Sequence, residues 1–75
     1  MIDGKWEFVV LSDVDYENLI TEVIYDGKLV ALLDTEAAPN IVSISVPQDG
    51  GGMSEKILLS EFLVKLEDAG KDLCR

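Results

Sequence analysis

Histidine is absent from the chain, and cysteine occurs once, at Cys74. The first absence removes the Ser-His-Asp and Cys-His pairs that activate a nucleophile. Both together remove the usual zinc sites, which draw on histidine or several cysteines. A lone cysteine forms no internal disulfide, so the fold does not depend on oxidation. Cys74 lies beside Lys71 and Arg75 near the chain end, where an incidental thiol is expected rather than a reactive one. Positive charge is scarce as well: six Lys and Arg face fifteen Asp and Glu, a formal net charge of −9. A protein that tracks phosphates needs a basic face, so nucleic acid is not an expected partner. Long apolar runs are missing, so no segment is expected to span a membrane. Met1 to Trp6 has no basic stretch leading into an apolar one, and a cytoplasmic protein is the expectation.

What remains is 75 residues, 48% hydrophobic and 28% charged. That composition suits one small globular domain over residues 1–75. Lys5 to Leu11 is rich in aromatic and β-branched residues and reads as a first strand. The acidic stretch from Ser12 to Asn18 reads as a loop. Leu19 to Tyr25 and Lys28 to Leu33 read as two further strands joined by Asp26-Gly27. Both turn residues tolerate positive φ, as a two-residue type I′ hairpin requires. Thr35 to Asn40, with Pro39, reads as a second loop. Ile41 to Val46 alternates so that Val42, Ile44 and Val46 point inward while Ser43 and Ser45 point outward. Gly50-Gly51-Gly52 reads as a mobile connector. Lys56 to Leu59 reads as a short extended segment. A closing helix follows from Phe62, Leu66, Ala69 and Leu73 on one face, with Ser60 as N-cap and with Lys71 and Arg75 at its negative end. The expected fold is α+β: an antiparallel sheet of about four strands with one C-terminal helix packed on one face.

The hairpin register implies a surplus apolar surface. With a straight two-residue turn, Ile20, Glu22, Ile24, Leu29, Ala31 and Leu33 share one side. Thr21, Val23, Tyr25, Lys28, Val30 and Leu32, with Leu19 at the end, share the other. One helix covers one side only. Placing Leu19, Val23, Val30 and Leu32 inward keeps Glu22 in solvent, because a buried unpaired carboxylate costs several kcal/mol or loses its charge. The side carrying Ile20, Glu22, Ile24 and Leu29 is then the expected protein-binding surface.

Other candidate chemistry is weak. Asp13-x-Asp15-x-Glu17 opens like an EF-hand loop, but the positions that need glycine and glutamate hold Asn18 and Ile24, so a solvated acidic loop is expected. Paired carboxylates such as Asp34 with Glu36 arise by chance where a fifth of the chain is acidic, and no desolvation marks any of them for acid–base work. Asp49-Gly50-Gly51-Gly52 lacks the lysine and hydroxyl of a phosphate loop. No catalytic, cofactor-binding or metal-binding residues are expected. The excess negative charge suits either solubility or steering toward a basic partner.

The run from Glu17 to Glu36, together with Phe62-Leu63-x-x-Leu66-x-x-Ala69, resembles small uncharacterised bacterial proteins, some of them regarded as immunity proteins of toxin systems. That resemblance implies acidic positions at Glu22 and Glu36 and carries no enzymatic role. The expectation is a non-catalytic binding protein that neutralises a protein partner, a basic one for a chain this acidic. The alternative is a homodimeric structural or scaffolding protein using the same sheet face.

Overall fold

A computed structural model describes residues 2–74. Among the described residues, six strands and one helix follow in chain order: β1 (Ile2–Asp3), β2 (Trp6–Leu11), β3 (Ile20–Tyr25), β4 (Lys28–Ala38), β5 (Ile41–Ser45), β6 (Ile57–Leu58) and α1 (Leu59–Leu73). The strands form one antiparallel sheet whose spatial order equals the chain order. The class is therefore α+β with a C-terminal helix, but the sheet has six strands rather than about four. The two further strands are the two-residue ones at the edges, and β6 falls within the extended segment expected at Lys56 to Leu59. Such short edges offer little backbone for a foreign strand to pair with.

The Asp26-Gly27 turn forms as the sequence predicts. Asp26 has φ +51° and Gly27 φ +77°, the left-handed pair of a type I′ hairpin. The register holds for Tyr25–Lys28 and Ile24–Leu29 and then slips, so that Val23 pairs with Ala31, Glu22 with Leu32 and Thr21 with Leu33. The slip is a bulge that leaves Val30 over. One extra residue reverses inside and outside for everything beyond it. Ala31 and Leu33 therefore join Val23, and Leu32 joins Glu22, the reverse of the straight-hairpin expectation. The expected inward set breaks up accordingly: Leu32 is buried, whereas Leu19 is 61% and Val30 38% exposed.

Strand β4 runs on to Ala38, through the stretch expected to be a loop; a second slip between Asp34 and Ala38 absorbs the irregularity. Ser43 and Ser45, expected outward, are buried. They face Asp34 and Leu32 across the β4–β5 ladder, and that side is roofed by the 12–19 loop and by Lys56. The segment after β5 closes through a Pro47–Met53 bridge, with φ between +85° and +87° at all three glycines. Backbone bonds from Gln48 to Gly52 and from Gly51 to Gln48 give the stretch a defined turn, where the sequence suggested a mobile connector.

Helix α1 begins two residues earlier than expected. Leu58, not Ser60, takes the N-cap position, and no side chain among the described residues caps the helix. Arg75, expected at its negative end, lies outside the described residues. Among the described residues the helix touches only β5 and β6 and buries no side chain. Its contacts are confined to the β5–β6 edge of the sheet. The core is correspondingly small: Ile20, Ala31, Leu32 and Ile44, beside the polar trio Asp34, Ser43 and Ser45.

Candidate protein-binding surface

Cross-strand pairs fix which side chains share a face. Glu7 lies opposite Ile24, Val9 opposite Glu22 and Leu11 opposite Ile20, while Ile24 faces Leu29 across the hairpin. Glu7, Val9, Glu22, Ile24 and Leu29 thus form one continuous patch on β2, β3 and β4. All are half-buried except Leu29, which is 37% exposed. The arrangement sets two carboxylates into an apolar field, partly covered and open to solvent.

The structure places the expected contact residues unevenly. Glu22, Ile24 and Leu29 stand together. Ile20, at 2% exposure, belongs to the core and offers no contact surface. Glu36 lies apart from the patch and is engaged within the chain. The backbone N–H of Glu17 donates to its Oε1, and the backbone N–H and Nδ2 of Asn18 donate to its Oε2 at 3.2 and 2.8 Å. The Glu17 amide is the main cause that holds the Glu36 carboxyl below its ordinary value near 4.5; the Asn18 donors and Lys56 act the same way, against some desolvation. Glu36 is therefore a clasp for the 12–19 loop.

That loop is shaped locally as well. Asp13 Oδ1 accepts from the Asp15 backbone N–H at 2.9 Å, and Asp13 O from the Tyr16 N–H at 3.0 Å, an Asx turn. The Asp13, Asp15 and Glu17 carboxylates do not converge, and among the described residues no three acidic or thiol side chains gather as a metal site. Tyr16 receives the Lys56 ammonium 5.0 Å above its ring, a cation–π contact. The same ammonium lies 3.5 Å from Asp34 Oδ1, which also accepts from the Glu36 backbone N–H at 3.1 Å. Asp34 Oδ2 is buried and has no hydrogen-bond partner among the described residues. Asp34 and Lys56 thus join β4, the loop and the segment before β6.

Sequence reasoning missed Glu7. Its signal was present: Trp6-Glu7-Phe8-Val9 alternates, and pairing Trp6 with Tyr25 as an aromatic couple puts Glu7 on the side of Glu22. The two rings do meet, with centroids 4.7 Å apart and planes tilted by 58°. The opposite side of the sheet carries Trp6, Val10 and Tyr25, 43%, 64% and 40% exposed. No family model, curated protein or solved structure matches the chain. Among the described residues no helix is long and apolar enough to cross a membrane.

Proposed function

We propose that this protein is a non-catalytic binding module that neutralises or regulates a basic protein partner through the face formed by Glu7, Val9, Glu22, Ile24 and Leu29. The observation that carries the reading is the placement of Glu7 and Glu22 among the half-buried Val9 and Ile24 and the exposed Leu29 on one sheet face. Apolar groups that lose water on contact supply affinity, and the carboxylates select for cations and steer encounter. A chain of net charge −9 adds long-range attraction for a basic surface. This is the logic by which an immunity protein captures a basic toxin, the role that the sequence resemblance implies.

Titration calorimetry tests the reading against whichever basic protein the immobilised chain captures at low salt. Binding is expected, weaker at higher salt, and lowered about 100-fold by Glu22→Lys, which sets a like charge against the partner. A wild-type chain that does not bind, or a Glu22→Lys variant that binds and protects as well as wild type, removes this surface from the mechanism.

A further inference from the structure

Helix α1 leaves the sheet with its apolar stripe uncovered. Leu59, Phe62, Leu66, Ala69 and Leu73 recur at intervals of three and four, the a and d positions of two heptads. Leu59 and Phe62 are half-buried, but every residue from Leu63 to Leu73 is exposed, Leu66 at 53% and Leu73 at 87%. A 15-residue helix with so little tertiary contact is marginal in water. The whole chain reports the same deficit. It exposes 5818 Å², whereas a folded monomer of 8.2 kDa exposes ~4,500 Å². The difference exceeds the ~800 Å² that each partner contributes to a stable interface.

We propose that a second copy of this chain covers the stripe, the two α1 helices packing antiparallel about a two-fold axis. The sequence is self-complementary in that orientation. Phe62 meets Leu73 of the second copy and Leu66 meets its Ala69, each contact occurring twice by symmetry, so large side chains face small ones or the helix ends. A parallel pair would stack Ala69 on Ala69 and leave a void. The flanking positions agree. Lys65 and Asp72 both occupy g positions, which face each other across an antiparallel pair, so Lys65 meets Asp72 of the second copy on both sides. In a parallel pair Lys65 would meet Gly70. Leu63 falls opposite Gly70 of the second copy, where no side chain obstructs it and the surrounding space is open. Leu73 of the second copy then lies at the mouth of a cleft of about 360 Å³ lined by Ile41, Val42, Leu58, Leu59 and Leu63. This surface is separate from the Glu7–Glu22 sheet face, so a dimer leaves that face free.

Sedimentation equilibrium of the intact protein tests the assignment. A dimer is expected at micromolar concentration. Leu66→Glu is expected to weaken it at least ~100-fold by placing a carboxylate in the seam, with sheet circular dichroism retained. Lys65→Glu and Asp72→Lys are each expected to weaken it ~10-fold, and the double reversal to restore it, because the pairs re-form with opposite sign. Cys74 residues of the two copies would stand ~20 Å apart along the seam, from 1.5 Å of rise per residue, so oxidation leaves the dimer without a Cys74–Cys74 disulfide. A monomer at all concentrations, a Leu66→Glu variant that dimerises as wild type, a double reversal weaker than either single change, or a quantitative Cys74–Cys74 disulfide overturns the proposal. Glu22→Lys leaves dimerisation unchanged, which separates this result from the fate of the sheet surface.

Discussion

Glu36 illustrates how one side chain can set the shape of a distant loop. Its two oxygens accept from Glu17 and Asn18, so a carboxylate in β4 holds a stretch of chain 18 and 19 residues away. The donors stabilise the charged form, and the carboxyl titrates below 4.5. A folded value lowered below the unfolded one means that the contribution to stability is complete above about pH 4.5 and disappears as pH falls through the lowered folded value. Glu36→Gln keeps the shape but not the charge. It is expected to be less stable than wild type at neutral pH and to lose less on acidification, so the two curves converge at low pH; urea midpoints between pH 2.5 and 7 measure this. Asp34 works differently. Its side chain is fully buried, with one oxygen held by Lys56 and the Glu36 amide. Lys56 is 44% exposed at its side chain, so it lends charge without full desolvation.

At the scale of elements, the β3–β4 hairpin governs which side chains meet the partner surface. Its turn depends on positive φ at Asp26 and Gly27. A Cβ at Gly27 would touch nothing within 4 Å, so substitution there acts through backbone conformation alone. Gly27→Val is expected to destabilise the fold by about 1–2 kcal/mol, seen as a lower urea midpoint with an unchanged slope. A changed slope would indicate that the hairpin has altered its register as well. The bulge at Val30 is the second determinant. It buries Leu32 beside Asp34 and turns Ala31 to the side of Val23, keeping Leu29 with Ile24 and Glu22. Without the bulge, β4 would present Leu33 where Leu32 now fills the core.

For the whole molecule, the deficit in packing and the surplus of charge act together. The radius of gyration is 13.6 Å, against ~11 Å for a compact chain of this length, in keeping with a helix whose contacts are confined to the β5–β6 edge. A small core and a net charge of −9 make self-repulsion significant. Raising salt from 10 to 300 mM is therefore expected to raise Tm by roughly 3–5 °C, as screening relieves repulsion among carboxylates. The same salt is expected to weaken binding to a basic partner. Opposite slopes for stability and for binding, read by calorimetry on one sample, would distinguish the steering role of the charge from solubility alone.

The features legible in the sequence were those that depend on neighbours along the chain. The Asp-Gly turn follows from residues that tolerate positive φ, the strands from β-branched alternation, the short extended piece before the helix from Ile57 and Leu58, and the helix from its 3.6-residue period. Tertiary structure decided what parity alone could not. A bulge of one residue reversed the faces of Ala31, Leu32 and Leu33, and nothing local marks where a long strand sheds a residue to follow the sheet's twist. Ser43 and Ser45 became interior because a loop and Lys56 roof their side of the sheet. Glu36 passed from an expected loop into β4 and became a clasp because Asn18, distant in sequence, arrived beside it. Period and propensity are properties of a segment, whereas burial and hydrogen bonding belong to the pair of segments that the fold brings together.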